Sequence, residues 1–200
     1  MLYLLDTCSY LRLAYSIHPL LGQQYVPPPE VAQVTSEVHT EWVKQPKLQN
    51  KFHWLDEAQF VQNRAANLAS VLTLKGKQPT QILRMRQNIR CHAESSGAAI
   101  KASGHTIPSP TDCAVLAYVF VLANDGVATI AVSDDGGMGW VANNLQIPLI
   151  TSLDLVHRMF IAKTQTASQI KTVAAYLDYQ DDLPHNWRTK GQHLFGISIP

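Results

Sequence analysis

Met1-Leu2-Tyr3-Leu4-Leu5-Asp6-Thr7-Cys8-Ser9 is a short apolar run that ends on a carboxylate. A continuous run of this length suits a strand covered on both faces, as in the middle of a parallel sheet. Asp6 then falls at the carboxyl end of that strand, where open α/β sheets place their ligand crevice. Thr7 and Ser9 are residues that cap a helix starting at once. The stretch therefore reads as strand, acidic corner, helix, and the chain is searched for other acids that meet Asp6 there.

Outward from this corner, a helical pattern continues to about Ile17 and closes at Pro19 and Gly22. Pro27-Pro28-Pro29 is a stiff turn. Val31 to Val34 is a strand candidate, and Thr35 a helix cap with Glu37 in the first turn of a helix carrying Val38, Glu41 and Trp42. Residues 52 to 74 predict a long helix, broken at Lys75-Gly76-Lys77-Gln78-Pro79. A second helix is expected from Thr80 to Ala102. Ser109-Pro110-Thr111-Asp112 combines a cap, a proline at the first helical position and an acid in the first turn. The helix it opens, Cys113 to Asn124, is apolar almost all round and so buried. Thr129 to Val132 reads as a buried strand running into Ser133-Asp134-Asp135-Gly136-Gly137. A helix from Met138 to Leu145 and a strand from Ile147 to Ile150 complete a strand–helix–strand unit, the signature of parallel strands. Helices near 153–160 and 167–177 follow, and an irregular tail is expected from Asp178.

The 200 residues carry a formal net charge of +1, which predicts neither a polyanion nor a membrane partner from bulk charge. Any phosphate site must be local. Cys8, Cys91 and Cys113 form no CxxC pair and are expected to be buried, reduced thiols. No apolar run approaches the ~18 residues needed to span a bilayer. The start lacks a basic region before its apolar run, which argues against a signal peptide, so a cytoplasmic protein is expected.

Asp6, Asp134 and Asp135 end strands, Asp112 opens a buried helix, and Glu41 lies two turns into another. In a parallel sheet these positions gather on one edge. Converging carboxylates repel one another unless a cation neutralises them. Hard oxygen ligands select magnesium or manganese, with water and substrate phosphate completing the shell. Such ions activate water and stabilise an in-line displacement at phosphorus, which is nuclease chemistry.

On four fragments the chain resembles the PIN-domain family. They are Leu4-Leu5-Asp6-Thr7, the segment Val34 to Trp42 containing Glu37 and Glu41, Ser109 to Ala117 containing Asp112, and Val132-Ser133-Asp134-Asp135. The resemblance covers residues 1–45 and 105–152. It implies a three-layer α/β/α fold with a mostly parallel sheet. It also implies an endoribonuclease, dependent on Mg2+ or Mn2+, similar to the toxins of toxin–antitoxin pairs. The expected organisation is a PIN-like domain over 1–152, with a helical insert at about 46–104, and an extension over 153–200. Expected partners are RNA, an antitoxin protein and a second copy docked on the insert.

The metal ligands expected from the resemblance are Asp6, Glu41, Asp112 and either Asp134 or Asp135. Asp135 fits the family spacing better than Asp134, and Glu41 better than Glu37. Ser133 stands where the family usually has Thr. Thr7, Ser9, Ser133, Arg86 and Arg90 are the expected substrate contacts, the two arginines lying one turn apart. The plainer readings are helix capping for Asp6, dipole compensation for Asp112 and Glu37, a solvated turn for Asp134-Asp135-Gly136-Gly137, and a solvated face for the arginines. A rival function is a PIN-like scaffold that binds nucleic acid or protein without cleaving. A haloacid-dehalogenase-type phosphatase is disfavoured because Cys8 stands where a second Asp is needed. No GxxxxGK[ST] phosphate loop is present.

Overall fold

The computed structural model describes residues 1–14, 30–44, 46–51, 58 and 70–200. Its framework is a five-stranded, all-parallel sheet in the order β3-β2-β1-β4-β5. The strands are β1 (Leu2–Leu5), β2 (Val31–Val34), β3 (Ser70–Val71), β4 (Thr129–Val132) and β5 (Leu149–Ile150). Helices cover the sheet, giving a mixed, three-layer α/β/α architecture. The opening run is the central strand: Tyr3, Leu4 and Leu5 are each 0% exposed, as a strand covered on both faces requires.

The chain steps from β1 to β2 and β3 on one side, then returns to lay β4 and β5 on the other. The order reverses between β1 and β4, and a crevice opens at such a switch point beyond the carboxyl ends of the strands. Register is tight there: Leu5 lies beside Val132, and the Asp6 amide donates to the Val132 carbonyl at 3.0 Å.

Helices α1 (Thr7–Ala14) and α2 (Ser36–Lys44) leave β1 and β2 directly, the second capped by Thr35, whose Oγ1 accepts from the Val38 amide. Helix α3 spans Pro46–Lys51. Much of the expected 52–74 helix, with Pro19, Gly22 and Pro27 to Pro29, lies outside the described residues. Its end is corrected: Ser70 and Val71 form β3 beside Gln33 and Val34, and the Leu72 amide donates to the Val34 carbonyl at 2.9 Å. The exposed row of backbone groups on β2 pairs there, a demand that helical periodicity does not register.

The expected 80–102 helix is two: α4 (Gln78–Ser95) and α5 (Gly97–Ala102), separated at Ser96. Helix α4 packs along α6 (Pro110–Asn124), which in turn lies on β1 and β4. Cys113 to Val119 are all buried on α6, as its all-round apolar sequence demands. Helix α7 (Gly136–Asn144) links β4 to β5. Beyond β5 come α8 (Ser152–Ile161), α9 (Ala167–Tyr179) and α10 (His185–Phe195).

Helix α10 replaces the expected irregular tail. Pro184 stands at its cap, Trp187 and Phe195 are buried, and Gly196 ends it with φ +68°. The thiols are also partly corrected: Cys113 is buried, whereas Cys8 and Cys91 are exposed. Among the described residues no helix is long and apolar enough to cross a membrane.

Candidate metal and phosphate site

Asp6 sits where the opening stretch places it, at the carboxyl end of β1, and is 3% exposed. It caps α1: the Ser9 amide donates to its Oδ1 at 2.6 Å. The Ser133 hydroxyl, arriving from the end of β4, donates to its Oδ2 at 2.5 Å. Burial nevertheless lifts the Asp6 carboxyl to about 6; these hydrogen bonds pull it down and the nearby charge of Asp112 pushes it up.

Asp112 reaches the same crevice from α6. Its Oδ2 accepts from the Ser109 amide at 2.8 Å while the Ser109 hydroxyl accepts from the Asp112 amide, a complete capping box. Burial raises its pKa, against the Ser109 bonds, and the charges of Asp135 and Glu41 raise it further. Asp135 caps α7, with Oδ1 accepting from the Met138 amide at 2.6 Å, and its own amide donates to Ser133 Oγ at 3.0 Å. Glu41 comes from α2 and accepts from the Thr7 hydroxyl at 2.5 Å. Asp112 is therefore the acid that interacts electrostatically with each of Asp6, Asp135 and Glu41.

Asp6 caps α1, as its plainer reading holds, and Asp112 sits in the first turn of α6, where dipole compensation places it. Asp135 caps α7, so the solvated turn expected there is corrected. The N-termini of α1, α6 and α7 carry partial positive charge and offset part of the repulsion. Burial, more than the remaining repulsion, raises the pKa of both Asp6 and Asp112.

Asp134 faces elsewhere. Its Oδ2 accepts from Arg12 Nη1 at 3.1 Å and from the Ser152 hydroxyl at 2.5 Å, and its Oδ1 accepts from the Ser152 amide. Arg12 also bonds Asp182 through Nε at 3.1 Å, and Trp187 Nε1 donates to Ser152 Oγ at 3.1 Å. Asp134 is thus the anchor of the C-terminal helices. Of the two adjacent acids only Asp135 meets the cluster, because successive residues at a strand end point opposite ways.

Two of the three hydroxyls expected at substrate are otherwise employed. Those of Thr7 and Ser133 orient Glu41 and Asp6, and Ser9 supplies an amide to Asp6. Arg90 is spent on Glu94 one turn along α4, at 2.8 Å. Arg86 does line a groove beside the acids, where its Nη1 stands 3.7 Å from Glu37 Oε1. Lys44 and Thr111 share that groove and escaped the sequence reading. Glu37, Glu41 and Lys44 recur on α2 at helical spacing, the pattern that would have exposed Lys44; no local signal marks Thr111.

No family model, curated protein or solved structure matches the chain. The chemistry must therefore be judged from the residues themselves. Among the described residues no three His, Cys, Asp or Glu side chains are drawn together as a ready ligand set. Magnesium needs less: it retains several waters and takes one or two carboxylates plus substrate phosphate. Asp6 beside Asp112 meets that requirement, and one oxygen each of Asp112 and Asp135 is not used in capping. The donor set fits a hydrated hard cation.

Proposed function

We propose that the protein is a PIN-like endoribonuclease dependent on magnesium or manganese. The observation that carries this reading is the burial of the Asp6 carboxyl, 3% exposed, at the sheet's switch point within electrostatic reach of Asp112. Ionising a carboxyl this buried costs the fold, a cost that a bound cation offsets. Asp6 and Asp112 would hold the ion, with Asp135 and Glu41 receiving its waters. When bound, the ion supplies an activated water and neutralises charge on the phosphodiester in flight.

The chain's own residues do the positioning. Ser133 and the Ser9 amide fix both oxygens of Asp6, Thr7 aims Glu41, and Ser109 aims Asp112. A group held by a backbone amide on a helix terminus moves little, which is what an in-line attack requires.

Both Asp6 oxygens already accept hydrogen bonds, from the Ser9 amide and the Ser133 hydroxyl, which favours a second reading, a scaffold that binds RNA without cutting it. Manganese titration by calorimetry, with RNA cleavage assayed alongside, separates the two. The nuclease reading expects saturable manganese binding and cleavage, both lost in Asp6→Asn. RNA binding without manganese uptake, or equal cleavage by wild type and variant, selects against it.

A further inference from the structure

The groove beside the acids is about 370 Å3, the scale of one nucleotide, and opens to solvent. Its floor comes from one face of α2, where Ser36, Thr40 and Glu41 follow at helical spacing. Lys44 stands at the end of that face, Arg86 faces it from α4, and Thr111 closes the side next to Asp112. Glu41 belongs both to this groove and to the acid cluster, so the two are continuous.

We propose that this groove is a subsite for one ribose–phosphate unit of single-stranded RNA, flanking the bond that Asp6 and Asp112 address. The inference rests on the nuclease reading for its location only. The lining chemistry selects the ligand. Among the described residues no lining side chain is aromatic or aliphatic, so the lining favours the sugar–phosphate over a stacked base. Two cations from two different helices, Lys44 and Arg86, suit a phosphate. Three hydroxyls and the Glu41 carboxylate suit the 2′-hydroxyl, which both donates and accepts and distinguishes RNA from DNA.

Glu37 gates the subsite. Its 3.7 Å approach to Arg86 is an ion pair beyond hydrogen-bonding reach, so the guanidinium donors are not consumed by it. Glu37 is itself held by the Ser36 hydroxyl at 3.0 Å, and Ser36 lies 3.2 Å from the Tyr118 hydroxyl. The carboxylate is thereby fixed on the wall while Arg86 turns to an arriving phosphate.

The test is fluorescence anisotropy of a labelled hexauridylate with wild-type protein in EDTA, across a potassium chloride series. Arg86→Ala and Lys44→Ala should each weaken binding about tenfold and lower the slope of log K against log salt by about 0.7, the value for one single-strand phosphate contact. Glu37→Gln should tighten binding several-fold, and the DNA hexamer should bind more weakly than RNA. Arg90→Ala should leave binding unchanged. No binding by wild type, unchanged affinity in both cation variants, equal affinity for DNA, or an Arg90 effect matching Arg86 overturns the proposal. Melting curves of each variant confirm that the fold persists. Because binding is read without metal or cleavage, the subsite can fail while the nuclease stands, and the reverse.

Discussion

Ser133 Oγ donates to Asp6 Oδ2 at 2.5 Å, joining the carboxyl ends of β1 and β4 side chain to side chain. The same oxygen accepts from the Asp135 amide. Ser133 is therefore the hub through which two acids are held in register. Ser133→Ala removes a donor from a buried carboxylate and an acceptor from a backbone amide. It should cost about 2 kcal/mol in urea unfolding at pH 7, the scale for stranded buried polar groups. It should also push the Asp6 carboxyl further up, seen as a shift of its titration by carboxyl NMR.

Asp6 itself opposes folding at neutral pH. Its folded pKa is about 6 against an ordinary 3.8, so between those values the folded state holds more protons than the unfolded. The favourable contribution of protonated Asp6 is complete below pH 3.8 and is lost as pH rises through 6. That difference corresponds to about 3 kcal/mol. Asparagine keeps the α1 cap and cannot ionise. Asp6→Asn should therefore be more stable than wild type at pH 7.5 without metal, with the advantage vanishing near pH 4. Urea midpoints at the two pH values, together with loss of RNA cleavage, check both halves. A variant less stable at pH 7.5 contradicts the burial argument.

The adjacent acids should part company. Asp134→Ala leaves Arg12, whose side chain is 16% exposed, with Asp182 as its one carboxylate partner among the described residues, and takes away the acceptor of both the Ser152 amide and the Ser152 hydroxyl that Trp187 meets. It should lose about 2–4 kcal/mol, near the range for breaking a buried pair. Asp134→Asn retains acceptance from the Ser152 amide through its one carbonyl oxygen and should keep cleavage within a few-fold. Asp135→Asn keeps its α7 cap but should reduce manganese affinity at least tenfold. Calorimetry and limited proteolysis of the C-terminal helices distinguish the roles. Equal loss of metal binding in both asparagine variants would return Asp134 to the ligand set.

What the sequence discloses here follows from the range of each interaction. The strand at Leu2, the capping box at Ser109 and the acid after β4 are local features, written in neighbouring residues. Asp6, Asp112 and Asp135 were legible because strand ends and helix starts in a parallel sheet share one edge. Whether Asp134 or Asp135 faces inward was not, since that depends on Arg12, Ser152 and Asp182, far away along the chain. Strand β3 was lost because an edge pair is short and defined only by its partner. Helix α10 was missed because its two buried aromatics, Trp187 and Phe195, are too few to set a period. The groove was missed because its cations come from two helices, and only Arg86 drew notice.

Gly136 and Gly137 are the last case, since their sequence reads as a solvated turn. They open α7 instead, beneath the loop that leads from α5 to Ser109. A Cβ on Gly136 would meet the His105 imidazole, a side chain on an exposed stretch that can swing aside. A Cβ on Gly137 would overlap the Thr106 carbonyl oxygen, which is backbone. To relieve that clash the loop must lift, and with it the Ser109 cap that aims Asp112. Alanine recovers about 1 kcal/mol of helix propensity at either position. Gly136→Ala should therefore be close to neutral in thermal unfolding. Gly137→Ala should be destabilised by about 2–3 kcal/mol, the cost of overpacking a filled site. It should also lose manganese affinity, because Asp112 moves with the loop while Asp6 does not. Equal melting temperatures and equal metal binding in the two variants would mean that the loop does not bear on α7.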